Sequence, residues 1–144
     1  MSDVIWEFAH SVECGAPRAF AWGCWTNPEN WDDPPARFEF EGPFAVGTRL
    51  TTVLPGQRLE SVIREIADER EALIEMEVMG ATVQFRWRFE ELAAERTKMT
   101  QVIRLVGDSG ASLVEQAKVM EESVPQGMEK LAKAIEREWL SARR

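Results

Sequence analysis

Residues 111–144 read ASLVEQAKVMEESVPQGMEKLAKAIEREWLSARR, and this stretch decides the fold. Its apolar residues recur at Leu113, Ala117, Met120, Val124, Met128, Leu131, Ile135 and Trp139. Steps of three and four residues put them on one face of a helix. Glu115, Glu121, Glu122, Glu129, Lys130, Lys133, Glu136 and Arg137 fill polar positions around it. Ser112 followed by Glu115 reads as a capping box that starts the helix. Pro125 interrupts the stripe, and a proline in a helix interior costs about 3 kcal/mol. Ser123 with Gln126 offers a second capping box, which predicts a kink or break near Glu122–Ser123.

Upstream of this helix the chain reads as strands. Val4 to Glu13 alternates, with Trp6, Phe8, His10 and Val12 on one side. Pro17 opens a short helix crowded by Phe20, Trp22, Cys24 and Trp25, and Asn27-Pro28 caps a second short helix anchored by Trp31. From Arg37 the period becomes two: a strand with Phe38 and Phe40, then Thr48 to Leu54, Arg58 to Ala67, Ala72 to Met79, Thr82 to Leu92 and Thr97 to Val106. Pro55-Gly56 and Gly80-Ala81 punctuate them as hairpin turns. Successive hairpins favour an antiparallel sheet, one face of which needs covering, and the C-terminal helix is the element long enough to cover it. The expectation is an α+β fold: a curved antiparallel sheet of about seven strands, two short helices after the first strand, and a long helix across the sheet, in one domain spanning residues 1–144.

Composition narrows the function classes. A length of 144 residues with 44% apolar content fits one core. The net charge of -8, with no long basic run, argues against nucleic acid and against an anionic membrane surface. Cys14, Cys24 and a single histidine do not make a zinc site. No cofactor and no metal are expected. No N-terminal apolar run resembles a signal peptide and nothing approaches transmembrane length, so the expectation is a cytoplasmic protein with reduced thiols and no membrane insertion, monomer or homodimer.

The order of elements, with particular local motifs, resembles the SRPBCC superfamily of START, polyketide cyclase and Bet v 1-like proteins, which share the helix-grip fold. Ala16-Pro17 with Phe20 and Trp22 resembles the family's entry into its first short helix. Thr26-Asn27-Pro28-Glu29-Asn30-Trp31 resembles its second-helix turn, and Glu41-Gly42-Pro43 with Val46-Gly47-Thr48 its glycine-punctuated second hairpin. Ile63-Arg64-Glu65-Ile66 resembles its fourth strand, and the run from Ser123 to Leu131 the middle of its last helix. The resemblance implies a small apolar or amphipathic ligand, lipid-like or polyketide-like, held between sheet and helix. A cyclase/dehydrase-like or hydrolase-like enzyme using the same cavity is one alternative, and a protein-interaction module another.

Alternation names the residues that would line such a cavity: Phe8, His10, Phe38, Phe40, Leu50, Thr52, Ile63, Met76, Val78, Phe85, Trp87, Phe89, Met99, Gln101 and Ile103 from the sheet, with Ala117, Met120, Val124 and Met128 from the helix. For each the competing reading is closely packed core. His10 is the weak catalytic candidate, as a general base, against a plain core histidine. Gln101, between Met99 and Ile103, is placed to orient a ligand carbonyl or hydroxyl, with Thr52 and Ser61 as weaker candidates of the same kind. Glu29, Asp32 and Asp33 read as a solvated face.

Overall fold

A computed structural model describes residues 3–143. Strand β1 (Val4–Cys14) is followed by helix α1 (Arg18–Trp25) and one 3-10 turn, Pro28–Asn30. Six strands come next: β2 (Arg37–Phe40), β3 (Arg49–Leu54), β4 (Gln57–Ala67), β5 (Glu71–Val78), β6 (Ala81–Ala93) and β7 (Arg96–Val106). A 3-10 segment (Asp108–Leu113) leads into the short α2 (Val114–Ala117) and the long α3 (Met120–Ala142). The strands form one antiparallel sheet in the order β1-β7-β6-β5-β4-β3-β2. This is the expected α+β architecture, with the second short helix reduced to a single turn capped, as read, by Asn27 Oδ1 accepting from the Glu29 N–H at 3.1 Å.

Local chemistry explains the joints. β5 turns into β6 through Met79 and Gly80, both at positive φ (50° and 85°), the backbone that a two-residue hairpin requires. Gly56, at φ 75°, does the same work after Pro55. A bulge in β4 between Ile63 and Glu65 resets the alternation, so Ser61, Ile63 and then Ile66 share the inner face. The outer face is charged. Arg86 bridges Glu65 and Glu71, Arg88 bridges Glu71, and Arg64 bridges Glu75. Leu73 is buried on that outer side, with Glu65 and Arg86 as its cross-strand neighbours.

Two details of the C-terminal stretch differ from the sequence reading. Ser112 does not cap the helix. It lies in the 3-10 segment and its Oγ donates to the Ser109 carbonyl at 3.2 Å, because a tighter turn already occupies the position a capping box needs. The interruption falls at Lys118–Val119 rather than Glu122–Ser123. There the Val119, Glu121 and Glu122 N–H groups bond three residues back, to Gln116, Lys118 and Val119. α3 then runs through Pro125 without a second start. The irregularity of this stretch is the tightened turn ahead of α3 and not the proline.

The core lies between the sheet's inner face and the helices, as two clusters. The larger gathers Val12, Cys14, Trp22, Trp25, Ile63, Ile74, Trp87, Phe89, Met99, Met128 and Ile135. The smaller gathers Trp6, Val83, Ile103, Leu105, Leu113 and Ala117. The Gly15 N–H donates to Glu136 Oε1 at 2.7 Å, tying the end of β1 to α3. Among the described residues no helix is long and apolar enough to cross a membrane.

Candidate functional site

The helices do not fill the sheet's inner face. A cavity of about 520 Å³ remains between sheet and α3. Its floor comes from alternate positions of five neighbouring strands: Leu50 and Thr52 of β3, Ser61 of β4, Ile74 and Met76 of β5, Phe85 and Trp87 of β6, and Gln101 of β7. Register explains their company, since Leu50 pairs with Ser61, Ser61 with Met76, Ile74 with Phe85, and Trp87 with Gln101. The roof is one stripe of α3, running Ser123, Val124, Gly127, Met128, Leu131 and Ala134, with Lys130 and Arg137 at its exposed edge. Phe38 of β2 closes one side.

The end wall is built by the segment after β1. Ala21, Trp22 and Trp25 are the buried face of α1, spaced as a helix requires. The Trp25 ring lies 5.1 Å from Trp87, 5.5 Å from Phe89, 5.0 Å from Phe44 and 5.8 Å from Trp31. The Trp31 indole N–H donates to the Trp25 carbonyl at 2.6 Å, and the Asn30 amide donates to the Cys24 carbonyl at 2.9 Å. These two bonds fix the turn that carries Trp31 to the mouth, beside exposed Asp32 and Asp33.

Phe38, Leu50, Thr52, Met76, Phe85, Trp87, Gln101, Val124 and Met128 thus line the cavity, as does Ser61. Other residues read as lining also face inward but do not touch it. Ile63, Phe89 and Met99 are buried in the larger cluster, Phe89 against the rings of Trp22 and Trp25, and Phe40 packs edge-on against Trp31 at 5.2 Å. Ile103 and Ala117 are closed into the smaller cluster, with Phe8, Val78 and Met120 packed against it. His10 stands beside Gln101 on the next strand, outside the cavity lining. Its Nε2 is buried without a hydrogen-bond partner. Alternation identifies the inward face, whereas the gap depends on which inward side chains meet an opposing one. Sequence reasoning missed the contribution of the short-helix segment: Cys24, Trp25, Asn30, Trp31, Asp32 and Asp33. The clustering of tryptophans around Asn27-Pro28 was the available signal.

A second cleft, of about 420 Å³, lies between β1 and α3 and is lined largely by polar and charged groups, among them Ser11, Glu13, Lys98, Glu129, Lys133 and Glu136.

Both thiols are free, and burial holds their protons more tightly than in an exposed cysteine. Burial, then the Glu136 carboxylate and Cys24, pushes the Cys14 thiol from 9.0 up to about 12. Burial, then Glu138, also raises Cys24 at the cavity wall. Because the native state holds the Cys14 proton more tightly than the unfolded chain, this group's contribution to stability is intact below pH 9.0 and is lost as pH rises toward about 12. At mildly alkaline pH the native protein is therefore expected to leave Cys14 unalkylated by iodoacetamide, with modification only in denaturant, as read by peptide mass mapping. Glu136→Gln keeps an acceptor for Gly15 and removes the charge. It should speed alkylation only modestly, since burial is the larger cause. Rapid native alkylation of Cys14 would contradict the closed packing around it.

The seven-stranded antiparallel sheet with its long C-terminal helix is consistent with the Bet v 1-like helix-grip fold. The chain is similar in structure to norcoclaurine synthase from Thalictrum flavum, solved in complex with dopamine and hydroxybenzaldehyde: TM-score 0.71, 14% identity, 94% of this chain and 87% of the other. It is similar also to a Mesorhizobium loti protein, at TM-score 0.73 and 14% identity over 92% of this chain and 98% of that one. An Arthrobacter aurescens protein matches at TM-score 0.63 and 19% identity, over 90% and 83%. At these identities the likeness is one of fold. The sequence matches no family model and no curated protein.

Proposed function

We propose that this protein binds a small hydrophobic or amphipathic ligand between its sheet and α3. The observation that carries this reading is the cavity itself: about 520 Å³, walled mainly by Trp25, Trp31, Phe38, Leu50, Ile74, Phe85, Trp87 and Leu131, with its charged side chains at an exposed rim. Sites for small molecules have this make-up, an apolar concavity of about 300–1,000 Å³ with a few polar groups to orient the guest. A protein of similar fold, norcoclaurine synthase, holds dopamine and hydroxybenzaldehyde, which supports the reading in general terms.

Three of the lining residues are tryptophans, so occupancy has an intrinsic reporter. Titration with apolar probes is expected to give saturable quenching of tryptophan fluorescence together with thermal stabilisation. A ligand at about a hundred times its Kd stabilises the native state by about 2.7 kcal/mol. Native mass spectrometry should show a one-to-one complex. A panel of lipids and planar aromatics that yields neither saturable quenching nor stabilisation would overturn the reading.

A further inference from the structure

We infer that the cavity contains a neutral hydrogen-bonding subsite, centred on Gln101 and Ser61, that receives an uncharged hydroxyl or carbonyl group at the leading end of an aromatic ligand. The inference rests on the ligand-binding reading above and specifies the ligand's chemistry.

Gln101 and Ser61 both line the cavity, and each is only 7% exposed. Thr52 lines it as well. The side-chain hydrogen bonds among the described residues involve none of these three. A buried amide or hydroxyl is stable only when its hydrogen-bonding capacity is met, and here the open side of each faces the cavity. Together an amide and two hydroxyls offer donors and acceptors, so they match a group that does both.

Charge decides what is refused. Lys130, Arg137, Asp32 and Asp33 are the ionised side chains around the cavity, and all four are exposed at its mouth. A carboxylate or ammonium carried inward would leave water for a part of the cavity whose lining carries no charged side chain, and a few neutral dipoles do not offset that loss. The rings of Trp25, Trp31 and Trp87 are walls of the same cavity, Trp87 directly opposite Gln101 on the neighbouring strand, and flat aromatic surface stacks well on them.

A matched set tests this: naphthalene, 2-naphthol and 2-naphthoate, measured by equilibrium dialysis and tryptophan quenching on the full chain. Naphthol is expected to bind about tenfold more tightly than naphthalene, the worth of one or two good hydrogen bonds, with naphthoate the weakest. Gln101→Leu should bring the naphthol-to-naphthalene affinity ratio close to one, with the fold of the variant checked separately by its far-ultraviolet dichroism and thermal melt. Ser61→Ala, a smaller change, should give part of the same loss. Equal affinities for naphthol and naphthalene, or tightest binding of naphthoate, would overturn the subsite while leaving the cavity reading intact. Absence of binding by all three, with no quenching, would overturn both.

Discussion

Trp25→Ala is expected to destabilise the protein by about 3–5 kcal/mol, the range for truncating a large buried aromatic side chain. Trp25 is 4% exposed and its ring touches five others: Trp22, Trp31, Phe44, Trp87 and Phe89. Its backbone carbonyl also anchors the Trp31 indole. Removing the ring deletes apolar burial and leaves space that the rigid sheet beneath, at Trp87 and Phe89, closes only in part. Urea unfolding followed by circular dichroism measures the loss. Trp139→Ala is the comparison. Trp139 packs against Phe20 at 5.1 Å but lies on a half-exposed face, and should cost about 1 kcal/mol. Equal costs for the two would mean that the end wall is not organised around Trp25.

The second large effect separates stability from binding. Gly127 lies in the roof stripe of α3, and a Cβ built there meets nothing within 4 Å. Gly127→Ala should stabilise α3 by about 1 kcal/mol, the propensity difference between the two residues in a helix, and leave ligand affinity nearly unchanged. Gly127→Leu should stabilise by a similar amount while its side chain projects into the cavity, weakening a planar aromatic ligand by more than tenfold. Thermal melts and fluorescence titrations on the same two variants check both halves. Full affinity in Gly127→Leu would place the ligand away from this part of the roof.

Much of the architecture was legible because it depends on periods. The β6 alternation of Val83, Phe85, Trp87 and Phe89, and the three-four spacing from Leu113 to Trp139, correspond to faces buried in the structure. Such signals fix which way a side chain points and not what it meets. Ile63 and Ser61 face the same way on β4, yet Ile63 is sealed in core and Ser61 looks into the cavity. The difference lies in how far α1 and α3 reach across the sheet, a tertiary property. The α3 interruption was misplaced for a related reason. Pro125 is the visible irregularity in the sequence, whereas the tight turn at Lys118–Val119 carries no residue type that announces it. Likewise Asp32 and Asp33 read as solvated, and they are, but their place beside the cavity depends on how the Trp31 turn docks.

The tryptophan wall has an optical consequence. Indoles with centroids 5.1 to 5.8 Å apart, as Trp25 is from Trp87, Trp22 and Trp31, couple their electronic transitions. The ultraviolet dichroism should therefore carry an exciton couplet superimposed on the sheet signal. Trp25 is the shared partner in all three pairs, so Trp25→Phe would abolish the couplet. That band gives a label-free readout of whether α1 has docked on the sheet.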